Sequence, residues 1–203
     1  SGFPMEILDV MNERQNICKY LDMPLQHATT EMLTRMRRGI TREKTDRLIQ
    51  DIRAKVPDIA LRTTLITGFP GETVQDYEEM CSWVEQTRFD RLGVFTYSHE
   101  ENTHAHSMKD DVPQRTKRKR ADDIMEIQSH ISWELNQAKI GKQMRVLIDR
   151  VEGDYFVGRT QYDSPDVDNE VMLHHADGYA RVGDFVNVEI TGAEHYDLIA
   201  KPI

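Results

Sequence analysis

Three times between residues 17 and 98 the chain places a short apolar or β-branched run ahead of a turn, and between these runs lie apolar residues at helical spacing. The first run lies in "ICKYLDMPLQH" (17 to 27), read as a short buried strand entering a proline-containing loop, with Met32, Leu33 and Met36 as the stripe behind it. Thr29 or Thr30 is the expected N-cap of that helix and Gly39 its C-terminal cap. The second run is "IALRTTLI" (59 to 66), preceded by a helix that Thr41 opens and Pro57 ends, with Leu48, Ile49, Ile52 and Val56 on its apolar side. The third is "RLGVFTYS" (91 to 98), reached through a helix marked by Val74, Tyr77, Cys81 and Val84. Strands that alternate with helices in this way imply βαβ units and a parallel sheet, because a parallel neighbour can be reached only by a long crossover. Residues 5 to 11 add the tail of an earlier helix.

After "DDVPQ" (110 to 114) the pattern changes. Ile124, Ile127, Ile131 and Leu135 predict one long helix ending near Gly141, with the basic run from Arg115 to Arg120 over its start. From 142 onward the chain is strand-like throughout: "QMRVLID", "YFVGRT", "EVMLH", "FVNVEIT" and "YDLIA", each bounded by Gly, Asp, Asn or Pro. Five short strands in so little chain suit a small closed barrel of the OB type. The expected fold class is therefore α/β plus all-β, divided into 1–113, a connecting helix at 114–138, and 139–203.

Composition narrows the function classes. No apolar run approaches the roughly twenty residues of a membrane span and no secretory signal opens the chain, so a cytoplasmic location is expected. The formal net charge is -9, which argues against a general nucleic-acid binder. Cys18 and Cys81 stand too far apart to read as a disulfide framework or a CxxC metal site, and two buried thiols are expected. Ser1 in first position points to a piece of a longer protein.

The stretch "LITGFPGET" (65 to 73) is the most specific turn. It lacks the lysine of a phosphate-cradling P-loop. Read locally, its glycines supply positive φ, Pro70 fixes a dihedral, and Thr73 caps the next helix with Asp76 near N3. It also ends a parallel strand, where α/β barrels hold their ligands. Gln26, Thr67, Gly68 and Tyr97 then converge on one face with Arg35, Arg37 and Arg38 nearby, a set suited to a nucleoside-like cofactor bearing a carboxylate. His99, His104 and His106 form no fixed metal motif and are expected as solvated loop histidines. No catalytic residue and no metal ligand is assigned within the chain.

"YLDMPLQHATTEMLTRMRRG" (20 to 39), "LITGFPGET" and "GVFTYSHEENTHA" (93 to 105) resemble the last three strand–helix units of the radical S-adenosylmethionine barrel in methylthiotransferases. The terminal five-stranded segment resembles the TRAM domain that ends those enzymes. "GRTQYDSPDVDNEVML" (158 to 173) is similar to the branch that modifies small-subunit ribosomal protein S twelve. The resemblance implies the C-terminal part of a radical-SAM, partial TIM-like barrel followed by an OB-like TRAM barrel. It implies a parent enzyme that places a methylthio group on the β-carbon of an aspartate, using S-adenosylmethionine and two four-iron four-sulfur clusters. Neither the CxxxCxxC nor the cysteines of the second cluster occur here, so the isolated chain is expected to be inactive. For the cofactor it implies Gln26 at the ribose hydroxyls and Arg37 or Arg38 at the methionine carboxylate. The segment around Thr64 to Gly68, with Ile66, lies along the adenine, and Phe95 or Tyr97 stands nearby. Glu72 is expected to serve the turn rather than the ligand.

The terminal barrel bears on the substrate. From Lys139 onward seven basic residues stand against twelve acids, a net of -5, which repels a phosphate backbone and attracts a basic protein. Asp163, Asp166, Asp168 and Glu170 gather on one connection and are the expected contacts to the protein substrate. A transfer RNA methylthiotransferase and a non-catalytic docking module for the ribosomal protein remain the alternatives. A parallel sheet without further strands would also leave an open edge through which two chains could pair.

Overall fold

The structure, a computed structural model, describes residues 2–203. These divide into two compact units: residues 2–10 with 21–128, and residues 11–20 with 129–203.

The first unit is built on a three-stranded sheet in the order β1 (Tyr20–Asp22), β2 (Ala60–Thr67), β3 (Arg91–Thr96). β2 and β3 pair in parallel, with Thr64 opposite Gly93 and Ile66 opposite Phe95. Helix α1 (Glu6–Glu13) precedes the sheet; α2 (Thr30–Arg35) and α3 (Arg42–Lys55) lie between β1 and β2, and α4 (Val74–Thr87) between β2 and β3. Strand periodicity sorts β2 into two faces: Leu61, Thr63, Leu65 and Thr67 are buried, whereas Arg62, Thr64 and Ile66 are only half-buried. The more open face continues onto β3 through Gly93 and Phe95, a residue that is 64% exposed.

Local signals place most helix ends. Thr29 is the N-cap of α2, Thr41 caps α3, and Thr73 with Asp76 forms a complete capping box at α4. The expected cap at Gly39 is corrected. The chain turns two residues earlier, at Arg37 (φ +57), where the Arg38 amide donates to the Leu33 carbonyl and the Arg37 amide to the Thr34 carbonyl. These are the paired bonds of a Schellman motif, and they require a left-handed residue directly after Met36 whatever its side chain. The first strand is likewise shorter and more exposed than expected, because Pro24 cannot donate to a ladder. The cysteines also differ from expectation: Cys18 is exposed and Cys81 half-buried.

The basic run at the start of α5 (Gln114–Gln137) is divided: Arg115, Arg118 and Lys119 are exposed, the other two are not. Lys117 and Arg120 are buried on the side that Ile124 continues, since a step of three or four residues stays on one helix face. In the second unit the later part of α5 caps a loop, with the Asn136 amide donating to the Tyr196 carbonyl at 2.8 Å.

The five expected strands form a closed barrel, β4 (Gln143–Glu152), β5 (Tyr155–Arg159), β6 (Val171–His174), β7 (Phe185–Ala193) and β8 (Leu198–Pro202), in the order β4-β5-β6-β8-β7. β6 and β8 are parallel and the remaining pairs antiparallel, the arrangement of an OB barrel. Val146, Ile148, Val171, Val188 and Ile190 fill its centre.

Candidate functional site

Gln26 stands where the first strand leaves the sheet, and its backbone is left-handed (φ +74). Its N–H donates to the Thr64 carbonyl at 2.9 Å, and its carbonyl accepts from the Ile66 N–H at 2.8 Å. A non-glycine residue in this region costs about 1 kcal/mol, a strain typical of functional positions. The Gln26 side-chain amide and the Thr64 hydroxyl make no hydrogen bond among the described residues. Thr64, Ile66 and Phe95 thus share the open sheet face, and Gln26 stands at its end, where it bridges to Leu65 of β2.

The turn after β2 faces inward. The Gly68 N–H donates to Glu72 Oε2 at 2.9 Å, and the Gly71 N–H to Asp111 Oδ1 at 2.9 Å. Gly68 is left-handed (φ +72), and a Cβ there would fall inside the Lys117 side chain, so glycine is required on two grounds. The backbone amides of Gly68 and Gly71 are therefore occupied by the protein's own carboxylates and not open to a ligand. Gly68 shapes the site's edge.

Glu72, buried and turned away from the open face, is a junction. Its Oε1 pairs with the Arg120 guanidinium, which also donates to the Glu72 carbonyl at 3.2 Å, and its Oε2 lies 3.4 Å from His27 Nε2. His27 Nδ1 accepts the Thr29 N–H at 3.1 Å, which leaves the proton of a neutral ring on Nε2, facing Glu72. Next to this junction the Thr29 hydroxyl donates to Asp76 Oδ1 at 2.9 Å. Burial pushes the Asp76 carboxyl upward, but the hydrogen bonds from Thr73 and Thr29 outweigh it and hold the group below the ordinary carboxylate range.

Tyr97 is a packing residue. Its ring meets Phe69 edge-on at 5.2 Å with Met32 beside it, and Lys117 Nζ stands 4.8 Å above its centre while bonding to Asp110 at 2.7 Å. Burial, together with Asp110 and Glu100, pushes its phenol upward, so the hydroxyl stays protonated beside His99 Nδ1, 3.1 Å away. Phe95 is the aromatic left accessible. His99 and His106 stack at 4.5 Å, and no group of three metal-ligating side chains occurs among the described residues. The two arginines differ as well: Arg38 donates to the Pro24 carbonyl at 3.0 Å, whereas exposed Arg37 makes no side-chain bond among the described residues.

On the barrel the four acids have unequal roles. Asp163 is buried and accepts from the Thr160 hydroxyl at 2.6 Å; Asp168 accepts from the Tyr20 hydroxyl at 2.6 Å and the Ser164 N–H at 2.8 Å. Glu170 forms a two-pronged pair with Arg150, whose hydrogen bonds hold the Glu170 carboxyl below its ordinary range. Asp166, left-handed (φ +66) and exposed at the loop tip beside exposed Val167, makes no bond to another described residue. Three acids build the connection and one is presented by it.

The junction of His27, Glu72 and Arg120 was not legible as a unit, since its members come from three separate segments. Extending the Ile124 stripe back by four and seven residues would have turned Arg120 and Lys117 inward.

The residues at the sheet end fit a nucleoside: an amide and a hydroxyl without side-chain bonds among the described residues, beside an apolar pair; the exposed Arg37 guanidinium, at the end of α2, has the chemistry for a carboxylate. They do not fit an iron–sulfur cluster, for the only two cysteines are one exposed and one half-buried residue of different segments.

Residues 1–84 match the model of the Radical SAM superfamily and residues 140–203 that of the TRAM domain. A relative in Cytophaga hutchinsonii, named ribosomal protein uS12 methylthiotransferase RimO, is 60% identical over 201 residues, covering 99% of this chain and 46% of its own. One of the same name in Christiangramia forsetii is 56% identical, covering 100% of this chain and 45% of its own. This chain thus spans about half the length of the curated relatives it matches. Coproporphyrinogen III oxidase HemN of Escherichia coli, a radical SAM enzyme of known structure, is 23% identical, with a TM-score of 0.49 over 68% of this chain and 30% of that one.

Proposed function

The chain belongs to the radical S-adenosylmethionine methylthiotransferase family, and from that premise we propose that it is the later part of an enzyme that methylthiolates ribosomal protein uS12 on the β-carbon of an aspartate. The observation that carries the choice of substrate is the terminal barrel, where twelve acids stand against seven basic residues. An acidic TRAM domain suits a basic protein and disfavours an RNA backbone.

In this reading the open sheet end holds S-adenosylmethionine. Gln26 meets the ribose hydroxyls, Arg37 the methionine carboxylate, and Thr64 and Ile66 line the adenine with Phe95 over it. Arg38, bonded to the Pro24 carbonyl, braces the first strand, while Gly68 and Tyr97 shape the pocket from behind. The cofactor and its clusters, when bound, supply hydrogen-atom abstraction and sulfur delivery. The cluster ligands belong to parts of the enzyme outside this chain, which alone is inactive. Asp166 makes the leading contact with uS12, on a connection braced by Asp163, Asp168 and Glu170.

A second reading, modification of transfer RNA, is favoured by one feature. Tyr179 is 83% exposed on the barrel, and the exposed Phe185 ring lies 4.1 Å from the Arg145 guanidinium, surfaces on which bases stack. The aromatic half of an RNA surface is present, but the basic half is missing. Incubating the intact, cluster-loaded enzyme with purified uS12 and, separately, with bulk transfer RNA decides between them by mass spectrometry. Methylthiolated uS12 with unchanged RNA is the expected result; methylthiolated RNA with unchanged uS12 overturns it.

A further inference from the structure

We infer that His27 is a positioning residue: anchored to Glu72 and Thr29, it holds the neighbouring Gln26 in its left-handed conformation and so aims the Gln26 amide at the open sheet end. The inference deepens the cofactor reading above and rests on it for the ligand. Its geometry stands independently. Gln26 carries the strain (φ +74), and the next residue is among the most buried polar groups of the unit, at 1% exposure. The His27 ring is fixed from two sides. Nδ1 accepts the Thr29 N–H at 3.1 Å, and Nε2, which makes no hydrogen bond, faces the Glu72 carboxylate 3.4 Å away. Glu72 cannot yield, because Arg120 holds one oxygen and the Gly68 N–H the other. A buried imidazole facing a buried carboxylate is costly to leave without its partner. The ring therefore stays where Glu72 is, and the chain can place it there only by leaving the strand through a left-handed residue at position 26.

Ladder bonds alone do not demand this. The Gln26 N–H and carbonyl both pair with β2, but an ordinary extended residue makes the same two bonds. What the left-handed turn adds is the direction of His27 and, with it, of the Gln26 side chain.

A double-mutant cycle on the intact protein tests this, comparing wild type, His27→Ala, Gln26→Gly and the double variant, with two readouts: the equilibrium dissociation constant for S-adenosylmethionine and the thermal midpoint. Glycine adopts positive φ without an anchor. His27→Ala is therefore expected to weaken binding about tenfold in the wild-type background and to have no further effect in Gln26→Gly. A purely structural role for His27 gives the same fold loss in both backgrounds and overturns the inference. The midpoint supplies the second arm: Gln26→Gly is expected to raise it by about 3 °C when His27 is present and not at all when it is absent. Equal gains overturn the inference. If Gln26→Gly leaves S-adenosylmethionine binding unchanged, the cofactor reading of Gln26 falls, and the midpoint arm still decides the role of His27. Should His27→Ala fail to fold, His27→Asn keeps an acceptor for the Thr29 N–H and removes the group facing Glu72. Weakened binding by a folded His27→Asn supports the inference, and wild-type binding overturns it.

Discussion

Gly68 is a residue whose identity is fixed by its conformation and by Lys117 together. Gly68→Ala is expected to destabilise the chain by about 2 kcal/mol or more, because the new methyl meets both positive φ and the lysine stem; urea denaturation measures it. Asp76 gives a pH signature. Its folded-state value is lowered, so the stability it contributes is complete above the unfolded value of about 4 and is lost as pH falls through the lowered folded value. Asp76→Asn should flatten that acid limb in a pH series of thermal midpoints; an unchanged limb would show that other carboxylates carry it. Residues such as Thr73 and Asp76 were legible because their partners lie three positions apart, within reach of local pattern. Glu72 and Arg120 were not, since they meet across forty-eight positions and a sequence shows one only as a turn acid and the other as part of a basic run.

Among the elements, the β5–β6 connection illustrates how far charge counting goes. Sequence locates four acids on one loop, and that holds, but it cannot tell an acid that braces a loop from one that a loop displays. Thr160, Tyr20 and Arg150 make that distinction; Thr160 reaches Asp163 three positions on, but Tyr20 and Arg150 meet their acids only in the folded protein. Two outcomes follow. Glu170→Gln, which loses the Arg150 pair, should lower the barrel's thermal midpoint. Asp166→Asn should leave the midpoint unchanged while weakening uS12 binding and reducing its dependence on salt. If Asp166→Asn binds as wild type does at low and high salt, the loop tip is not the contact. The closed barrel was readable because five short strand-like runs, each bounded by Gly, Asp, Asn or Pro, leave few other ways to bury their apolar faces. The end of α2 was not readable, because its left-handed residue is Arg37 and the glycine two positions on gave the stronger signal.

At the scale of the molecule, a strained strand end that would offer polar and aromatic groups to a cofactor is joined in the proposed account by an acidic barrel that would favour a basic protein over RNA. The choice of substrate, the central claim of that account, is tested most directly by following the products in cells. With the gene for the whole protein deleted, uS12 should lose the methylthio mass on its aspartate while the methylthiolated nucleosides of transfer RNA stay at wild-type level, and the intact gene should restore the modification. Loss of a methylthiolated nucleoside from transfer RNA with uS12 unchanged would contradict the account.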